Sequence, residues 1–363
     1  MKKFFLYALI LTYFQSFGQN LDSIAAFPIA LNETSGLLYF NHKLITHNDS
    51  GGENALFEID TITTSILRTV YIQNAINVDW EDLAQDENHI YIGDFGNNTG
   101  SRTDLKIYIV SKNDFETTTN DSISATILAF GYENQTSFTS QTQNTNFDAE
   151  AFIATEDSLY IFTKNWVNQE TNVYSLPKDT GVYQAKLISS FNVEGMVTGA
   201  DFNVSEHKIM LCGYTKLANS FLFEMKDFTF PFCFNGSNNR IAISPKGSVQ
   251  IEGICATETN KYFLSSEKFI TKPSVLHSFT DSLEVVNLFN EIILPSKIYP
   301  NPARNFLNIE GDFDFFEIYS SLGDSLLQSK NPSISIKDLP QGAYIIKCYK
   351  KNKLVKVSPF EKL

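Results

Sequence analysis

The chain is poor in the residues on which most recognisable chemistries are built. In 363 residues it holds four cysteines, two tryptophans and five histidines. Cys212, Cys233, Cys255 and Cys348 show no C-x-x-C spacing, which removes zinc-ribbon and dithiol redox motifs. His42, His47, His89, His207 and His277 form no H-E-x-x-H, and there is neither a G-x-S-x-G elbow nor a phosphate loop. Positive charge is also scarce: 28 Lys and Arg stand against 41 Asp and Glu, a formal charge of −13. No basic groove is available to neutralise phosphates, so no nucleic-acid partner is expected. Long apolar runs are absent beyond the first 18 residues. There, Lys2 and Lys3 precede an apolar run from Phe4 to Phe14, closed by Gln15, Ser16, Phe17 and Gly18. That run is shorter than the ~20 residues a membrane helix needs. It reads as a secretory signal peptide over residues 1–18. Its removal takes two lysines, moves the charge from −13 to −15, and leaves no transmembrane segment in the mature chain.

What the chain does have is aromatic, strand-forming sequence, with 31 Phe and 16 Tyr. One phrase organises it. N-V-D-W-E-D-L-A from Asn77, followed by a polar turn and H-I-Y-I-G-D-F-G-N-N, returns as N-F-D-A-E-A-F-I-A from Asn146 and as I-E-G-I-C-A from Ile251. Looser copies start at Thr34 and Thr198. Aligned on Ser35, Glu81, Glu150, Thr198 and Glu252, the copies are 46, 69, 48 and 54 residues apart. A strand-rich unit at about 40–50 residues predicts a β-propeller over residues 19–290, all-β, with four strands per blade. Five blades are expected, and the 69-residue interval leaves six open. The last unit is short, so Ser23–Ala30 is expected to supply its outer strand and close the ring, which removes an open sheet edge. Cys212 and Cys233 fall in one unit and read either as a disulfide, permitted in an exported chain, or as two small buried side chains.

From Asn290 the texture changes. Residues 291–297 read as a linker, and 298–363 as short strands between Pro and Gly turns, a small β-sandwich. Y-P-N-P (Tyr299–Pro302), I-Y-S-S-L-G (Ile318–Gly323) and L-P-Q-G-A-Y-I-I-K (Leu339–Lys347), in that order, closely resemble the C-terminal sorting domain of the type IX secretion system of Bacteroidetes. The resemblance implies that residues 298–363 engage the type IX secretion machinery. It also implies passage through the periplasm to the outer-membrane surface or the medium.

In a four-stranded blade, the loop entering the first strand and the loop after the second open on one face. On that face gather Asp49, Asp79, Asp94 and Asp148, an oxygen-rich set suited to a divalent cation, with calcium favoured over zinc. Glu33, His47, Trp80, Asn97, Asn98 and Lys164 are the accompanying candidates for binding an unidentified extracellular ligand. Glu81, Glu150 and Glu252 lie on the first strands and would line a central channel. There they would act as catalytic acids, share a cation or protons, or accept hydrogen bonds from neighbouring blades. The opposite-face turns, such as Gln85–Asn88, read as plain polar turns carrying no chemistry. T-S-G-L with H-N-D-S-G-G, and W-E-D-L-A with G-D-F-G-N-N, are similar to the phytase-like and esterase-like secreted propellers. That resemblance implies calcium and an anionic ester substrate. Two functions therefore stand: an extracellular binding module, or a calcium-dependent extracellular hydrolase.

Overall fold

A computed structural model describes residues 19–244, 249–281, 297–320, 325–350 and 353–363. The expected signal peptide and most of the expected linker fall outside them. The chain divides into two compact units, residues 1–280 and 281–363. Among the described residues the regular structure is almost wholly β-strand, with one α-helix at Lys112–Thr117 and a 3₁₀ turn at Ile29–Leu31.

In the first unit, four antiparallel strands recur five times. Sheet I contains Thr34–Phe40, Lys43–Asn48, Ala55–Ile59 and Ile66–Ile72. Sheet II contains Trp80–Gln85, His89–Asp94, Lys106–Ser111 and Thr126–Tyr132. Sheet III contains Ala149–Ala154, Ser158–Thr163, Thr171–Pro177 and Gly181–Phe191. The outer strands of II and III also pair in parallel, so the two sheets form one eight-stranded sheet. Sheet IV contains Met196–Asn203, Lys208–Tyr214, Ser220–Lys226 and Ser237–Ser244. Sheet V contains Ile251–Glu258, Lys261–Ser266 and Val275–Thr280, and its fourth strand is Asp22–Ala26 from the start of the chain. That closing strand was expected over Ser23–Ala30. It ends earlier because Pro28 has no N–H for the ladder, and the 3₁₀ turn follows.

The first strands of the five sheets touch in a circuit, I to II to III to IV to V and back to I. They are correspondingly the most buried: Ala149–Ala154 is buried at every position, whereas the outer strand Gly181–Phe191 is mostly exposed or half-buried. The apolar core follows the same circuit, as one cluster between each successive pair of sheets. Trp80, Leu38 and Ile92 lie between I and II; Phe95, Phe152 and Tyr174 between II and III; Phe162, Val197 and Phe221 between III and IV. Met210, Ile251 and Phe279 lie between IV and V, and Leu37, Phe57 and Leu276 between V and I. Cys212 and Cys233 are buried in this core and form no disulfide.

Each first strand skips one residue of register against its second strand, and the skipped residues are Gly36, Glu81, Glu150, Thr198 and Glu252. The repeat is thus built around a β-bulge, a device that re-aims a side chain. One alignment changes accordingly. Gly36, with φ near 58°, is the equivalent of Glu81, and Ser35 takes the place of Trp80.

Polar contacts tie the ring across sheets. Ser35 Oγ donates to the Glu81 carbonyl, and Thr198 Oγ1 to the Ile251 carbonyl. Asp82 is fully buried. Its Oδ1 accepts the Leu83 N–H at 2.8 Å, and its Oδ2 accepts those of Phe152 at 3.1 Å and Ala200 at 3.2 Å. One carboxyl group thereby joins sheets II, III and IV. Asp201 Oδ2 does the same between IV and V, accepting the Ala256 N–H at 3.1 Å. The hydrogen bonds expected of the channel glutamates are made by these two aspartates instead.

The second unit packs a three-stranded sheet (Lys297–Tyr299, Phe306–Glu310, Ser333–Ser335) and a four-stranded sheet (Ser325–Ser329, Phe315–Ser320, Gly342–Lys350, Lys353–Lys362) over one core of Leu307, Ile309, Phe316, Ile318, Ile346 and Phe360. Asn301 of the Y-P-N-P motif holds the last strand. Its Nδ2 donates to the Pro359 carbonyl at 3.3 Å and its Oδ1 accepts the Glu361 N–H at 3.0 Å.

Removing the Asp82 carboxyl leaves three buried amides without an acceptor, each costing about 1–3 kcal/mol. Asp82→Ala should therefore destabilise the first unit by at least ~3 kcal/mol in urea denaturation, while the exposed Glu87→Ala stays within ~0.5 kcal/mol. Equal stability of the two variants would remove Asp82 from this role.

Candidate functional site

The bulges and the loops beside them build an acidic mouth on one face of the first unit. Asp49 follows the second strand of sheet I. Its N–H donates to the Glu33 carbonyl at 2.8 Å, and Asn77 Nδ2 donates to the carbonyls of Asn48 at 2.9 Å and Asp49 at 3.0 Å. Asn77 Oδ1 accepts the Trp80 N–H at 3.2 Å, so one amide side chain sets Asp49 beside the approach to Asp79. From the far side, the Gly96 N–H donates to the Asp79 carbonyl at 3.2 Å. A Cβ at Gly96 would collide with Glu81 Oε1 and Asp79 Oδ2, so only glycine lets the loop close on these two carboxylates.

Asp49, Asp79 and Glu81 are brought together: one carboxylate oxygen of each lies within 4.8 Å of the others. Asp49 and Asp79 are half-buried and Glu81 is only 4% exposed. No donor among the described residues reaches the Glu81 carboxylate. Burial, reinforced by the charges of Asp49, Glu150, Asp79 and Asp148, pushes Glu81 well above the carboxylate range. Burial and the charges of Asp49 and Asp148 raise Asp79 to about 7. Such a cluster demands a positive charge or protons.

Asp94 and Asp148, expected in the same cation set, both accept hydrogen bonds from the protein, although Asp94 Oδ2 is buried without a partner. Asp94 is fully buried; its Oδ1 accepts Arg102 Nη2 at 2.9 Å and the Asp79 N–H at 3.2 Å. Asp148 accepts the Asn97 N–H at 2.6 Å on one oxygen and Trp166 Nε1 at 2.7 Å on the other. These acids shape the mouth, and Glu81 takes their place in the cluster.

The expected ligand-binding residues separate in the same way. Trp80 is completely buried, edge-on to His47 at 5.6 Å between ring centres, with Nε1 donating to the Ile76 carbonyl at 3.3 Å. The expectation that it meets a ligand is corrected, because it has no surface to offer. His47 is buried too, and burial lowers its pKa to about 4, leaving it neutral. Asn97 Nδ2 donates to the Phe147 carbonyl at 3.0 Å and its Oδ1 accepts the Arg102 N–H at 2.9 Å, which makes it a loop brace. Asn98 is half-buried and Glu33 exposed.

Lys164 is 5% exposed, and its Nζ donates to both Glu150 oxygens at 2.6 Å and to the Tyr214 hydroxyl at 3.2 Å. Burial opposes its charge, but Glu150, Tyr214 and Glu252 overcome that and hold its pKa well above the usual value. Gln250 Nε2 extends the chain, donating to the Tyr214 hydroxyl at 2.9 Å and to Glu252 Oε1 at 3.4 Å. Glu267, raised to about 7 chiefly by burial, hydrogen-bonds Glu252. Glu150 and Glu252 thus sit in one polar chain across sheets III, IV and V. Gly96, Tyr214 and Gln250 escaped the sequence reading because only their neighbours in space give them a role.

Asp79, Glu267 and Asp201 titrate near 7 in the folded chain against about 4 when unfolded. Their folded pKa values are raised, so their contribution is complete below about pH 4 and is lost as pH climbs through 7. In chelator, the melting temperature should fall between pH 5 and pH 8, and Asp79→Asn should flatten that slope. A melting temperature that rises across this range would contradict the assignment.

The comparisons with known proteins divide along the chain. No curated protein matches it. Among solved structures, an exo-β-1,3-galactanase from Phanerochaete chrysosporium aligns at 9% identity and TM-score 0.46, over 94% of this chain and 98% of that one. A mannose phosphorylase from Leishmania mexicana aligns at 11% identity and TM-score 0.42, over 74% and 91%. A chain of the mitotic checkpoint complex aligns at 13% identity and TM-score 0.33, over 67% of this chain and only 60% of its own length. At scores this low, none of these likenesses brings an activity to this chain. Residues 297–358 match the secretion system C-terminal sorting domain, so the chain carries a type IX sorting domain at its C-terminus.

Proposed function

We propose that the first unit is a five-bladed propeller acting outside the cell as a binding module, and that its acidic mouth holds a divalent cation at Asp49, Asp79 and Glu81. The sorting domain implies export by the type IX system, to the cell surface or beyond. No helix among the described residues is long and apolar enough to cross a membrane. The five-sheet circuit and its five interleaved core clusters support the propeller reading. The cation reading rests above all on Glu81, a buried carboxylate without a donor, facing two further carboxylates. An all-oxygen set without thiolate or imidazole suits calcium.

Arg102 is engaged by Asp94 and Asp104, and Lys164 by Glu150, so neither is free for an anionic ester. A cation at the acids would itself attract such an ester, so a calcium-dependent hydrolase is the second reading of the same mouth.

Calcium at a hundredfold excess over its dissociation constant should stabilise the folded chain by about 2.7 kcal/mol. The gain should be larger at pH 8 than at pH 5, where protons compete, and Asp79→Asn with Glu81→Gln should abolish it. Identical melting in calcium and in chelator at pH 8 would rule the site out. Separately, a chain lacking residues 298–363 should accumulate in the periplasm, and cell fractionation decides this.

A further inference from the structure

The turns that read as carrying no chemistry enclose a cavity of about 1220 Å³ at the end of the first strands opposite the acidic mouth. Its lining is of two kinds. One is aromatic and comes from sheets III and IV: Tyr160, Phe202, His207 and Phe230. Phe230 is the centre of this wall. It stacks on Tyr160 at 4.9 Å and stands edge-on to Phe202 at 5.3 Å and His207 at 5.8 Å. It is held there by the segment Phe228–Phe234, in which every second residue is Phe. Phe228, buried, stacks on His207 at 4.7 Å, while Phe202 and Phe230 remain half-exposed towards solvent.

The other kind is acidic. Glu87 comes from the first turn of sheet II, and Glu156 and Asp157 from that of sheet III; all three are exposed. Asp201 adds a half-buried carboxyl, with only one oxygen bonded, to the Ala256 N–H. Among the described residues, Lys178 is the one Lys or Arg lining the cavity. Its Nζ is paired with Asp86 and also donates to the carbonyls of Thr155 at 2.9 Å and Glu156 at 3.0 Å. No free positive charge is therefore offered to a ligand.

The geometry points to this cavity as a second ligand site, opposite the cation face, that takes an uncharged saccharide. A sugar ring has an apolar C–H face for the Phe230 wall and a rim of hydroxyl donors for the carboxylates of the same cavity. Half-exposed aromatic rings are the residues that gain most from such cover. Acidic sugars and phosphorylated ligands are rejected, since Glu87, Glu156 and Asp157 have no counter-charge to share. A compact ammonium ion would fill a small part of this space and could not cover the aromatic wall. The extended ring system of an oligosaccharide can.

The test uses the full chain on an array of neutral oligosaccharides, the corresponding uronic-acid oligosaccharides, and an oligolysine peptide as the cationic alternative. Binding to at least one neutral oligosaccharide is expected, with none to the uronic acids. Phe230→Ala should weaken it roughly tenfold or more. Asp157→Asn, at an exposed turn that leaves the fold intact, should weaken it severalfold. Asp79→Asn on the other face should leave it unchanged, which separates this site from the proposed cation site. Absence of binding to every neutral oligosaccharide, capture of oligolysine alone, or binding indifferent to both Phe230→Ala and Asp157→Asn would each overturn the proposal.

Discussion

The carboxyl group of Asp82 accepts backbone N–H groups from Leu83, Phe152 and Ala200, residues on the first strands of three different sheets. Those strands run side by side with no ladder between them, so their inward amides have no partner unless a side chain supplies one. A buried amide left alone costs about as much as several apolar contacts contribute. Asp82, with Asp201 doing the same for Ala256, supplies that partner where the first strands of sheets II, III, IV and V meet. The apolar clusters between sheets then fill around that polar hub.

The same close approach creates the electrostatic problem at the mouth. Each first strand bulges one step before or at the hub, and in three of five sheets the bulged residue is a glutamate. The three glutamates are resolved differently. Glu150 has Lys164 against both oxygens, and Glu252 has Gln250 and Glu267. Glu81 has only Asp49 and Asp79 for company. A buried carboxylate without a donor, facing two further carboxylates, favours protons or a positive charge beside it.

The two ends of the first strands offer contrasting chemistry. One end is carboxylate closed over by Gly96; the other is a wide cavity with aromatic and acidic lining. The sorting domain supplies the setting, since an exported chain works among extracellular ions and ligands. In that domain the Asn301 side chain pins the final strand to the Y-P-N-P turn, which gives the motif a structural reason within the unit itself.

Much of the architecture was legible because it is local. The recurring W-E-D-L phrase, the alternation within strands, the charged leader and the ordered C-terminal motifs are all properties of neighbours in sequence. The need to close a ring placed Asp22–Ala26 on the last sheet, with Pro28 setting where it stops. The site was legible only as a list of acids. Asp79, Trp80, Glu81 and Asp82 are consecutive, and the bulge assigns two to a cluster with Asp49, one to the core and one to the hub. Whether an acid is free depends on partners far away in the chain: Asp148 is taken by Asn97 and Trp166, and Lys164 reaches Tyr214. The sequence by itself determined the repeat, the strand class and the sorting domain, because those follow from periodicity and short motifs. Tertiary structure decided which carboxylates remain unpaired and where the aromatic cavity opens, because pairing and burial are set by residues that meet only when the ring is closed.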